Sequence, residues 1–77
     1  MVTPESIKSS IESGIACESV EVAGDGQHFE ALIVSGAFRG LSRLARHRLV
    51  YAALGDRMRA EIHALSMQTL TPEERAQ

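Results

Sequence analysis

The stretch from Phe29 to Val34, FEALIV, is a short apolar run rich in β-branched residues, and it follows directly on the turn chemistry of Gly24-Asp25-Gly26-Gln27. A run of this length bounded by a turn reads as a strand. On the other side of the turn, Val20 and Val22 alternate with Ser19 and Glu21, so a second strand precedes it and the two form a hairpin. The first is half polar and the second is not, so the second strand is the more buried. A chain of 77 residues buries only about 60% of the surface it exposes when unfolded. It has no Trp, one Tyr and two Phe, so its core must come mainly from Ile, Leu, Val, Ala and Met.

Helices are expected on either side of this hairpin. Thr3-Pro4-Glu5 supplies an N-cap, a proline at the first helical position and an acid in the first turn. Ile7 and Ile11 follow at one-turn spacing, and Gly14 ends the helix. Ser35-Gly36 breaks the second strand. After Gly40, Leu41, Ala45, Leu49 and Ala52 share one helical face, joined by Leu44, with Arg39, Arg43, Arg46 and His47 opposite. Gly55 interrupts the pattern and Asp56 caps a further short helix to about Glu61, so two helices meet there. From His63 to Leu70 the pattern alternates as in a strand. Thr71-x-x-Glu74 with Pro72 is a capping box that opens a last short helix. The expected order is α-β-β-α-α-β-α in one domain over residues 1–77. Its fold class is α+β, a three-stranded sheet with its helices on one face.

Charge is distributed unevenly. Glu5, Glu12, Glu18, Glu21, Asp25 and Glu30 face only Lys8 in the first thirty positions, whereas Arg39, Arg43, Arg46, Arg48, Arg57 and Arg59 face Asp56 alone further on. Guanidinium groups suit bidentate carboxylate or phosphate contacts, so Arg39, Arg43, Arg46, His47 and Arg48 mark a surface for a protein partner or nucleic acid. The single cysteine rules out an intramolecular disulfide and suits a reducing compartment. No apolar run of about 18 residues occurs, and the N-terminus lacks the pattern of a secretory signal. A soluble cytoplasmic protein without membrane contact is expected.

Two histidines are candidates for chemistry. His28 follows the glycine turn at the mouth of the second strand, and His63 precedes the third. Read singly, one is a solvated loop histidine and the other a strand-end histidine. Read together, strand ends that meet would bring two imidazoles to one metal centre. Two ligands do not close a tetrahedral site, so a partner would have to supply the rest. Cys17 reads as a small packed side chain rather than a nucleophile. No Walker loop, GxGxxG, HExxH or GxSxG occurs, which argues against an enzyme and against a small-molecule substrate.

Phe38-Arg39-Gly40, Arg46-His47-Arg48-Leu49-Val50-Tyr51 and the segment from Ile62-His63-Ala64 to Thr71-Pro72-Glu73 resemble, in order and spacing, the BolA-like family. The resemblance covers nearly the whole chain and implies a fold related to the class II KH domain. It also implies a partner, a monothiol glutaredoxin of the CGFS type, with which a two-iron, two-sulfur (2Fe-2S) cluster is shared. The glutaredoxin cysteine and glutathione would supply thiolates, and no cluster is expected in the isolated chain. The family's histidine before the third strand matches His63, and its hairpin-loop ligand matches His28; Cys17 matches neither position. Imidazole in place of thiolate implies ligation that weakens in mild acid.

Some members of the family are described as DNA-binding transcriptional regulators, which is the alternative reading of the arginine-rich segment. An isoelectric point of about 5.8, the acidic first thirty residues and the lack of a KH-type GxxG loop weigh against it.

Overall fold

A computed structural model describes residues 2–61 and 64–77. Helix α1 spans Pro4–Gly14 and is capped at Thr3, whose hydroxyl accepts from the Ser6 N–H at 3.1 Å while the Ser6 hydroxyl accepts from the Thr3 N–H at 3.0 Å. The first-turn serine closes a reciprocal box that a Glu or Gln usually closes. Ile7 and Ile11 are fully buried. Gly14 does end this helix, for a reason of packing: a Cβ built there would lie 2.6 Å from the Ala53 Cβ, so its hydrogen lets two helices touch.

Strands β1 (Ser19–Gly24) and β2 (His28–Val34) form the antiparallel hairpin, and β3 (Ala64–Leu70) pairs with β2 in parallel, giving the order β1-β2-β3. The parallel pairing follows from the helical crossover that separates β2 from β3. Registers Val20↔Ile33, Val22↔Ala31, Phe29↔Leu65 and Ala31↔Met67 line up the alternate residues that turn toward the helices. Phe29 and Ile33 are fully buried and are packed with Ile7, Ile11, Phe38 and Val50 into one core. The opposite face carries Glu21, Glu30, Ser66 and Gln68 and is open. Strand β2 is central and the more buried of the hairpin pair, as its composition demanded.

Ser35 ends β2 and is fully buried, yet satisfied: its hydroxyl donates to the Ala16 carbonyl at 2.6 Å and accepts from the Ala37 N–H at 3.0 Å. A 3-10 turn, Gly36–Phe38, then drops Phe38 into the core. Helix α2, Arg43–Glu61, is two helical stretches, 43–54 and 56–61, meeting at Gly55, where φ is 79° and ψ 165°. Only glycine takes that backbone without strain. With the short α3, Pro72–Arg75, the chain reads α-β-β-α-α-β-α.

The expected apolar face of α2 holds only in part: Leu49 packs against the core and Ala45 is half-buried, but the rest of that face is not the inner one. Leu41 precedes the helix and is 36% exposed, Leu44 is 60% exposed, and Ala52 faces solvent. Val50 and Leu54 are the buried pair instead, and Arg46, one turn before Val50, stands with them. The helix rolls toward this side because a long arginine stem can cover apolar surface while its head stays paired.

Candidate functional site

At one end of the sheet, the Asp25 carboxylate shapes the loop that carries His28. Its Oδ1 accepts the backbone N–H of His28 at 2.9 Å and that of Gln27 at 3.0 Å. Those two bonds, His28 first, hold the Asp25 carboxyl below its usual range. His28 is the first residue of β2 and is exposed, and its register partner is Ala64. His63 lies outside the described residues; it is the chain neighbour of Ala64.

Cys17 is set apart from this pair. It precedes β1 at the end where Ser19 pairs with Val34, so the length of the hairpin, on the order of 20 Å at about 3.3 Å per residue, separates it from His28. It is half-buried against the core, and burial, with Glu12 nearby, raises its thiol pKa above the ordinary value. Among the described residues no three His, Cys, Asp or Glu side chains gather as a metal cluster would require.

The basic segment divides in two. Arg39 and Arg46 have partners within the chain, both on α3. Arg39 donates from Nε to Glu73 Oε1 at 2.8 Å and from Nη2 to Oε2 at 2.6 Å, in an exposed fork. Arg46 is drawn in, its side chain 13% exposed. It donates from Nε to the Leu41 carbonyl at 3.0 Å, and from Nη1 to the Thr69 carbonyl at 3.0 Å and Glu74 Oε1 at 2.7 Å. Nη2 reaches Glu74 Oε2 at 3.1 Å, and the guanidinium lies 5.9 Å from the centre of the Phe38 ring. Glu74 also accepts the Thr71 N–H at 2.8 Å. Chiefly through Arg46, and then the Thr71 N–H, its carboxyl pKa falls to about 2. These pairings span 34 and 28 positions, so no local spacing in the sequence announces them.

Arg43 and Arg48 are exposed and His47 half-buried, and among the described residues none of the three makes an ion pair. Arg43 and His47 line a groove beside β3 whose floor includes Met67 and Thr69. The surface expected from Arg39, Arg43, Arg46, His47 and Arg48 thus contains two arginines already committed to carboxylates. The described helices include none long and apolar enough to cross a membrane.

Comparison with known proteins finds the same fold. The family model for BolA-like protein matches residues 2–74. The chain is 36% identical over 78 residues to human BolA-like protein 1, covering 88% of this chain and 57% of that one, so it spans little more than half the length of that relative. It is 35% identical over 69 residues to the acid stress protein IbaG of Escherichia coli K12, covering 88% and 82% respectively. The solved structure of a bolA protein homologue from Coxiella burnetii superposes with a TM-score of 0.82 at 49% identity over the full length of both chains. A matching family model over almost the whole chain, relatives of this similarity and a shared element order lead to one conclusion: the chain belongs to the BolA-like family.

Proposed function

We propose that this chain is a non-enzymatic adaptor that binds a monothiol CGFS glutaredoxin in the cytoplasm and offers His63 and His28 as ligands to a shared 2Fe-2S cluster. The observation that carries the reading is the parallel register of β2 and β3, which sets His28 opposite Ala64, the neighbour of His63. His28 is an exposed imidazole on a loop ordered by Asp25, and imidazole suits iron. The donor set fits a shared cluster better than a resident one, because two imidazoles leave ligand positions for thiolates from glutaredoxin and glutathione. When bound, the cluster would supply redox and iron-transfer chemistry. This chain's part is to present the two imidazoles.

The test is anaerobic mixing with a CGFS glutaredoxin carrying its cluster. The expected outcome is a visible spectrum distinct from that of the glutaredoxin alone, a change abolished by His63→Ala and reduced by His28→Ala. A spectrum indistinguishable from the glutaredoxin's own would sink the idea. Duplex DNA, the other reading, loses support from the pairing of Arg39 and Arg46 with Glu73 and Glu74, which leaves fewer cations for phosphates.

A further inference from the structure

Strand β3 forms one edge of the sheet, and among the described residues its outer side is met only by Arg46, at the Thr69 carbonyl. In a parallel ladder, alternate residues turn both peptide groups toward the same neighbour. The Leu70 carbonyl accepts the Ser35 N–H at 2.9 Å, on the β2 side, whereas the Thr69 carbonyl accepts Arg46 from the other side. Hence the N–H and C=O of Leu65 and Met67, and the N–H of Thr69, point away from the sheet. Among the described residues nothing bonds them. Edge strands are usually blunted by charge, proline or a bulge, but ALSMQTL has no charged residue or proline.

Beside this edge lies the groove of about 620 Å³, lined by Leu41, Arg43, His47, Met67, Thr69 and Gln77 among others. Leu41 is one of the exposed large apolar side chains. Glu74 also lines the groove, and its charge is answered by Arg46. The groove therefore combines unpaired peptide groups, an apolar patch at Met67 and Leu41, the positive charge of Arg43 and the polar ring of His47.

We infer that this edge accepts an extended acidic segment of a partner protein as a fourth strand. Main-chain bonds to Leu65, Met67 and Thr69 supply the pairing, as in other strand additions. On the helix side of the added strand, one side chain packs on Met67 and Leu41, and a carboxylate two positions along meets Arg43 and His47. The inference does not depend on cluster ligation by His28 and His63.

The experiment uses the full chain and an eight-residue labelled peptide of threonine with valine and glutamate two positions apart, together with a twin carrying lysine for glutamate. Saturation with the acidic peptide should slow amide exchange at Leu65, Met67 and Thr69 while Gln68 and Leu70 stay unchanged. The lysine twin should bind at least tenfold more weakly, and Arg43→Glu should weaken the acidic peptide by roughly tenfold. Met67→Pro removes one outward donor without touching the β2 ladder and should abolish binding. Should that variant fail to fold, Arg43→Glu and the exchange pattern decide the matter. Equal binding of the two peptides, protection at β1 instead, or no binding at about 1 mM peptide would overturn the inference. So would a dimer of the chain through this edge that the peptide does not displace, or duplex DNA protecting these amides where the peptide does not.

Discussion

Arg46 shows how one side chain can tie three parts of a small fold together. Its guanidinium spans the Leu41 carbonyl before α2, the Thr69 carbonyl on β3 and both oxygens of Glu74 on α3. Lysine has a point charge and cannot hold this fork, so Arg46→Lys should lower the melting temperature and speed amide exchange at Thr71, whose N–H rests on Glu74. Glu74 has its pKa depressed to about 2 from an ordinary 4.5. Its contribution to stability is therefore fully present above about pH 4.5 and is lost as pH falls toward 2. Thermal melts across that window should fall less steeply with pH in Glu74→Gln than in the native chain; equal slopes would refute the linkage. Asp25 obeys the same sign, with its pKa lowered first by the His28 N–H. Asp25→Ala should therefore leave the core intact while accelerating exchange at the Gln27 and His28 amides, measurable by nuclear magnetic resonance.

At the level of elements, the meeting of α1 with α2 is set by an atom that is missing. Gly14→Ala places a Cβ 2.6 Å from that of Ala53. Better helix propensity offers about 0.5–1 kcal/mol in return, against overpacking that costs about 1–3 kcal/mol. The net expectation is a loss of about 1 kcal/mol by denaturant titration, which Ala53→Gly would not fully restore, because the Ala53 Cα also lies 3.0 Å from the added Cβ; a stabilised single variant would show that the helices separate freely. The ends of the elements were legible in the sequence because capping is local: Thr3 with Pro4, Thr71 with Glu74, and the turn at Asp25 each act within three or four positions. The roll of α2 was not legible. Leu41 and Leu44 outrank Arg46 in hydropathy, and only the tertiary placement of Phe38, Thr69 and Glu74 makes the arginine side the inner one. The site divides in the same way. His28 is evident beside its glycine turn, whereas the fact that Arg39 and Arg46 are already engaged depends on residues far along the chain.

Over the whole molecule, these pairings decide what the basic segment can attract. The formal net charge is -2, and α3 sets Glu73 and Glu74 on two of the arginines that would otherwise face outward. Paired in this way, the arginine-rich half offers a phosphate backbone Arg43 and Arg48 more readily than Arg39 and Arg46. The double variant Glu73→Gln, Glu74→Gln removes both countercharges yet keeps a side chain able to complete the capping box. It should bind duplex DNA more tightly than the native chain at low salt. If both freed arginines reach phosphates, the slope of log affinity against log salt should steepen by about 1.8, at about 0.9 per contact. An unchanged slope with the fold intact by circular dichroism would mean that Arg39 and Arg46 stay bound to the protein surface without their carboxylates. The charge pattern would then be fixed by the carbonyls of Leu41 and Thr69 and by the Phe38 ring, not by α3. A steeper slope would instead make α3 an acidic cover that keeps the arginine-rich half from engaging nucleic acid, leaving the β3 edge and the histidine end as the surfaces open to a protein partner.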